Sequence, residues 1–94
     1  MNMKRYKQAV ETNICYTKLV YGRINKKLNA ALSEDEIEEM IAAIIIETDE
    51  SGFQKIGKNI YITSDKRNIK LTVNSFTNRI ITVDKIKNPL PLTF

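Results

Sequence analysis

The chain has no histidine and no tryptophan, one cysteine (Cys15), two prolines and three glycines. Each scarcity excludes something. Without histidine there is no His general base, no Ser-His-Asp or Cys-His nucleophile system and no His-ligated zinc. A lone cysteine closes no intrachain disulfide and builds no Cys-rich metal site. With so little Gly and Pro, no linker divides the 94 residues, a length that suits one domain. The apolar run ending at Ile46 is far shorter than a membrane span. The first five residues lead into no apolar segment of the secretory kind. A cytoplasmic protein is therefore expected, without membrane contact, metal or cofactor. At 43% hydrophobic and 28% charged residues, the composition is that of a folded domain and not a disordered one.

Charge is plentiful but segregated. Residues 1–28 carry seven basic side chains (Lys4, Arg5, Lys7, Lys18, Arg23, Lys26 and Lys27) against Glu11. Residues 29–52 carry eight acids and no base, and residues 53–94 eight bases against Asp65 and Asp84. The net charge of +4 thus conceals two basic segments flanking an acidic one. The basic first segment can track phosphates or neutralise the acidic one inside the fold or across a dimer, and the internal explanation is the simpler.

Apolar positions from Met3 through Tyr6, Val10, Ile14, Thr17, Tyr21, Ile24 and Leu28 step by three or four, predicting one long helix over about 3–28. Gly22 weakens it and marks a possible break. Ser33-Glu34-Asp35-Glu36 is a capping box, with Leu32 and Ile37 at staple spacing, and starts a second helix over about 34–47. The acids of its first turn suit the positive end of the helix dipole. After Gly52 the period becomes two, predicting strands at about 53–56, 60–63, 69–75 and 79–86. The Pro-containing tail 87–94 is expected to be extended. These elements make an α+β domain: two N-terminal helices packed on one face of a three- to four-stranded antiparallel meander sheet.

A three-residue loop at Phe76-Thr77-Asn78 would set Ser75 opposite Arg79, Val73 opposite Ile81 and Leu71 opposite Val83, apolar on apolar. Asn78 then takes the left-handed turn position, which Asn tolerates. Pairing Ile62 with Ile69 and Ile60 with Leu71 closes the preceding hairpin around a turn at 64–67. Ile60, Ile62, Ile69, Leu71, Val73, Ile81 and Val83 would face the helices. The opposite face would hold Asn59, Tyr61, Thr63, Asn68, Lys70, Thr72, Asn74, Ile80, Thr82 and Asp84, with Lys70 beside Asp84 and Thr72 beside Thr82. Lys58, Lys66, Arg67 and Arg79 would sit at its rims.

Any antiparallel sheet with one buried face needs a polar outer one. This one, however, is rich in Thr and Asn, with a Tyr and a basic rim, types that suit phosphate and sugar contacts and base stacking. Lys58, Tyr61, Arg67, Lys70, Thr72, Asn74 and Arg79 are the candidate nucleic-acid contacts. If there is turnover, Lys58, Tyr61, Arg79 and Thr82 are the candidate catalytic set, because Lys or Arg can stabilise a pentavalent phosphate while Tyr or Lys moves protons. A metal-independent, His-free endoribonuclease would use those groups. The expected partner is RNA or a nucleotide. The other class is a non-enzymatic interaction protein, such as a small inhibitor or sequestering protein from a phage or mobile element. A homodimeric scaffold paired through the first helix or through Leu90, Leu92 and Phe94 of the tail belongs to the same class.

The stretch Asn13–Leu19 through Arg23-Ile24, the block Phe53–Ile62, and Leu71–Ser75 through Arg79–Asp84 resemble a family of small bacterial proteins of unknown function, over roughly residues 13–86. That resemblance implies no particular activity. More distantly, Val73–Thr82 is similar to the final hairpin of the barnase–EndoU–colicin–RelE class of small RNase folds, with Asn78 where a Gly is usual. This second resemblance implies helices ahead of a curved antiparallel sheet and chemistry on its open face. The RelE and colicin branches can act with Lys, Arg and Tyr, whereas the absence of His departs from the barnase and EndoU patterns.

Overall fold

The computed structural model describes residues 3–86, with side chains from Lys7 onward. The expectations for the side chains of Met3, Lys4, Arg5 and Tyr6, and for the tail, lie outside the described residues. Three helices, α1 (Met3–Asn13), α2 (Val20–Leu28) and α3 (Glu34–Glu47), and a 3-10 turn (Glu50–Gly52) precede four strands. The strands β1 (Phe53–Ile56), β2 (Asn59–Ser64), β3 (Ile69–Asn74) and β4 (Ile80–Lys85) form one antiparallel meander in chain order. The fold is α+β, and no helix among the described residues is long and apolar enough to cross a membrane.

The long helix expected over 3–28 is two helices, and the break falls before Gly22, not at it. Residues 14–19 leave the helix so that Cys15 can bridge Arg79 at the start of β4. The Cys15 amide donates to the Asn78 carbonyl (2.9 Å) and the Ile80 amide to the Cys15 carbonyl (3.0 Å). Asn13, Ile14, Cys15, Tyr16 and Thr17 are all weak helix formers, so sheet-edge hydrogen bonds replace helical ones at little cost. Gly22 stays helical in open space. The break also resets the buried face, because Val20, off the expected stripe, is buried with Ile24.

The end of α2 is held to the start of α3 by Asn25. Its side chain both donates to the Leu32 carbonyl and accepts from the Leu32 amide, at 2.9 Å each. The capping box of α3 forms as its sequence implies, with Glu36 N–H to Ser33 Oγ at 3.1 Å and Ser33 N–H to Glu36 Oε1 at 2.8 Å. At the other end, Lys7 Nζ reaches the carbonyls of Ile46 (2.9 Å) and Thr48 (2.6 Å), a cation at the negative pole of α3. Ile37, Ile41, Ile44 and Ile45 pack with Val10, Val20 and Ile24 against the sheet residues Phe53, Ile60, Ile62, Ile69, Leu71, Val73, Ile80 and Val83.

Two register expectations are corrected. Between β2 and β3 the partners are Ile62 with Leu71 and Ile60 with Val73, two residues along from the expected pairs. Ser64 pairs with Ile69 and the turn occupies Asp65–Asn68, with Asn68 left-handed at φ 56°. An even shift preserves the faces. Between β3 and β4, Leu71–Val83, Thr72–Thr82 and Lys70–Asp84 pair as expected, but Val73 faces Ile80. The loop is four residues long, because Ser75 bonds across to the Lys58 carbonyl instead of pairing with Arg79, and Asn74 pairs with Arg79 (N–H to carbonyl, 2.9 Å). Asn78 is left-handed at φ 58°, and a bulge at Ile81 restores register beyond it. Ile80 is therefore the buried residue, and Ile81 lies half-exposed.

Candidate functional site

The helical core residues pack against one face of the sheet, and the register arranges the opposite face, most of whose side chains are half-buried, in cross-strand rows. One row runs Gln54, Tyr61, Thr72 and Thr82 across all four strands. On either side lie Thr63, Lys70 and Asp84, and the pair Asn59–Asn74. Leu71 and Val83 are fully buried on the other side, so Tyr61, Lys70 and Thr82 point away from the helices.

Within this face the charges sort in an informative way. Lys70 stands opposite Asp84, but Asp84 pairs with Lys27 of α2 at 3.0 Å. Lys70 instead lies over the Tyr61 ring, its Nζ 5.4 Å from the centroid. The Tyr61 hydroxyl accepts a hydrogen bond from Asn59 Nδ2 at 3.4 Å. Asn59 Oδ1 and Thr82 Oγ1 are buried without hydrogen-bond partners among the described residues. Thr72, at 6% exposure, contributes little more than an edge between Tyr61 and Thr82.

The rim residues divide between the two ends of the sheet. Lys58 and Arg79 share one end, where the Lys58 carbonyl accepts from the Ser75 amide and hydroxyl, both at 2.8 Å. Asn74 joins them there, its Oδ1 accepting from the Phe76 and Thr77 amides. Arg67 is at the other end and forms a two-pronged pair with Glu47 of α3, at 2.8 and 3.2 Å. That hydrogen bond holds the Glu47 carboxyl below its ordinary range and raises Arg67 further. The expected set is thus brought together in two groups, Tyr61 with Lys70, Thr72 and Thr82, and Asn74 with Lys58 and Arg79, while Arg67 stands apart.

Part of the basic N-terminal segment is accounted for internally, Lys7 at the end of α3 and Lys27 on Asp84. Tyr21 donates to Glu38 at 2.7 Å and stacks on Tyr16, ring centroids 5.8 Å apart. Burial, then the Glu38 charge, pushes Tyr16 up to about 12, and the Glu38 hydrogen bond does the same for Tyr21. Both stay protonated at neutral pH and serve as packing. Among the described residues no three carboxylate or cysteine side chains gather closely enough to hold a metal ion.

Sequence reasoning named Arg23 only within the basic first segment and missed its anchor, Nη1 donating to the Ile81 carbonyl at 3.1 Å, as well as Asn59 as the partner of Tyr61. The doublet Ile80-Ile81 interrupts the two-residue period, but it fixes neither the place of a bulge nor the arginine anchored there.

Fold and site together define an α+β domain with an open, Thr- and Asn-rich sheet face. The chain belongs to a family of proteins of unknown function, DUF3781, which matches residues 9–84 and so takes in every row of that face. No curated protein and no solved structure matches it.

Proposed function

We propose that the open sheet face binds single-stranded RNA or a nucleotide, in the manner of toxin-type RNase folds and with or without turnover. Tyr61 supplies the stacking surface, Lys70 its positive edge, and Lys58 and Arg79 the phosphate contacts. One observation carries the reading: Lys70 is diverted from its cross-strand carboxylate, which Lys27 holds, to the ring of Tyr61 on the face opposite the helical core. A cation and an aromatic ring set side by side are what an unpaired base on a phosphate backbone requires. Such a ligand implies work in the cytoplasm.

The test is RNA binding at a series of salt concentrations. Affinity that falls steeply with salt and drops about tenfold in Tyr61→Ala establishes the binding reading, base stacking being worth about 1–3 kcal/mol. Cleavage that disappears in Lys58→Ala or Tyr61→Phe makes the protein an RNase as well. Absence of binding to RNA and nucleotides at low salt defeats the reading.

A second reading, a non-enzymatic interaction protein, is favoured by a different feature. Leu19, Ile56 and Phe76 are 81%, 56% and 77% exposed, all at the Lys58–Arg79 end of the sheet. If that end is an interface, light scattering at high concentration gives a mass above the monomer's that returns to monomer in Phe76→Ser.

A further inference from the structure

We infer that the groove between α2 and the start of β4 is a phosphate site, taking the phosphate group of the ligand whose base lies on Tyr61. This deepens the open-face reading and rests on it only for the base. The groove measures about 300 Å³, with Arg23, Asn74, Thr77 and Arg79 around a floor that includes Val20 and Ile81. That is the lower end of small-ligand pockets, which run from about 300 to 1,000 Å³.

Two arginines and no acidic residue line it, and neither arginine pairs with an acid among the described residues. Two cations facing one small groove repel each other, and a phosphate between them turns repulsion into two sets of charge-assisted hydrogen bonds. Both arginines are positioned. Arg23 is anchored by one N–H on the carbonyl of Ile81, the extra residue of the bulge, which leaves its other donors free. Arg79 is fixed through its backbone, between Asn74 on one side and the Cys15 bridge on the other, while its side chain is exposed. The helix break and the bulge, both departures from regular structure, thus converge on one groove.

Asn74 connects the groove to the open face. It lines the groove, and because Tyr61 pairs with Thr72 it is a diagonal neighbour of Tyr61, about 7–8 Å away. Asn74 thus lies between a phosphate held by the arginines and the Tyr61 ring. The cavity at the opposite end of the sheet, where Glu47, Asp49 and Asp65 outnumber Lys66, suits the same group less well.

The test compares a short RNA carrying a 5′-phosphate with the same RNA carrying a 5′-hydroxyl, alongside AMP and inorganic phosphate, with binding followed by anisotropy and by amide shifts. Arg23→Gln and Arg79→Gln, each checked for an unchanged melting curve, are expected to weaken phosphorylated ligands about tenfold. Inorganic phosphate should shift the amides of Arg23, Thr77 and Arg79 saturably, and Tyr61→Ala should leave that response intact. Loss confined to the 5′-phosphate RNA identifies a terminal phosphate as the ligand group, and equal loss for both RNAs identifies a backbone phosphate. Either outcome supports the groove. If RNA binds through Tyr61 while both arginine variants bind every ligand like wild type, the groove inference is overturned and the open-face reading survives without its Arg79 contact. If no RNA or AMP binds, yet phosphate saturates the groove amides and Arg79→Gln abolishes this, the open-face reading falls and the groove stands. Phosphate shifts that never saturate overturn the groove.

Discussion

The two ends of the sheet are built from similar material and treated oppositely. At the end formed by the Asp65–Asn68 turn, the close of α3 and the 3-10 turn, charges and carbonyls are consumed by the fold itself. Arg67 grips Glu47, Lys7 caps α3, and Asp49 accepts from the Ser51 amide, which keeps its carboxyl below the ordinary range. At the other end, formed by the Gly57-Lys58 turn, the 75–78 loop and the 14–19 segment, Lys58, Arg23 and Arg79 lack acidic partners among the described residues, and Leu19, Ile56 and Phe76 stand in solvent. Internal contacts account for Arg67, Lys7 and Asp49 at the first end, where Ile46 is nonetheless 65% exposed, and give Lys58, Arg23 and Arg79 at the second no described carboxylate. Side chains whose neighbours do nothing to satisfy them are where a ligand or partner is to be sought.

The sharpest way to break this contrast is through its glycines. A Cβ on Gly52, at the satisfied end, would meet Thr48 Cγ2 at 2.6 Å and the Thr63 carbonyl oxygen at 3.0 Å. Thr48 is buried and its hydroxyl is tied to the Ile44 carbonyl, so it has little room to yield. Gly52→Ala should destabilise by about 1–3 kcal/mol, read from the midpoint of urea unfolding. At the open end Gly57 meets nothing within 4 Å, and only its φ of 62° resists a side chain. Gly57→Ala should therefore lose less, about 1–2 kcal/mol. A Gly52→Ala loss no larger than that of Gly57→Ala would mean that Thr48 yields and that the packing around Gly52 is not tight.

Which parts of this were legible beforehand follows from which forces act locally. The capping box, the isoleucine stripe of α3 and the two-residue period of the strands are local signals, and α3 and β1 begin and end where their residues imply. Face assignment depends only on parity, so a two-residue error in the β2–β3 register left Tyr61, Lys70 and Thr72 on the correct side. The failures are where distant segments compete. Nothing near Cys15 announces that the edge of β4, more than sixty residues on, will draw it out of a helix. The bulge at Ile81 likewise reflects a choice by Ser75 between Arg79 and Lys58, which only the assembled sheet decides. Those two non-local events position Arg23 and Arg79, so the groove was the part of the site least visible in the chain. The open face was the most visible.

A smaller effect is expected at the loop that sets the bulge. Asn78 is left-handed at φ 58°, a conformation that costs an ordinary residue about 1–2 kcal/mol. Asn78→Ala should lower stability by about 1 kcal/mol, and Asn78→Gly should recover most of that loss. If Ala and Gly are equivalent there, the turn is not what holds the four-residue loop, and the placement of Arg79 must come from the Cys15 bridge alone.

The least conspicuous consequence concerns acid. The Glu47 carboxyl has a lower pKa in the folded chain than its ordinary value near 4.5, because of the hydrogen bond from Arg67. A group shifted in that direction stabilises the fold above its unfolded pKa, and the contribution is lost as the pH falls through the folded one. Both partners are partly exposed, so the effect is small and weakens with salt. The stability difference between wild type and Arg67→Ala should accordingly be present at pH 7, shrink below about pH 4.5, and vanish once Glu47 is protonated. Arg79→Ala, at the opposite end and without a carboxylate partner among the described residues, should give a difference that does not change over the same interval. Urea midpoints of the three proteins between pH 7 and pH 3 decide the matter. A difference for Arg79→Ala that also collapsed in acid would reveal a carboxylate holding that side chain, and the open end would then be as internally satisfied as the other.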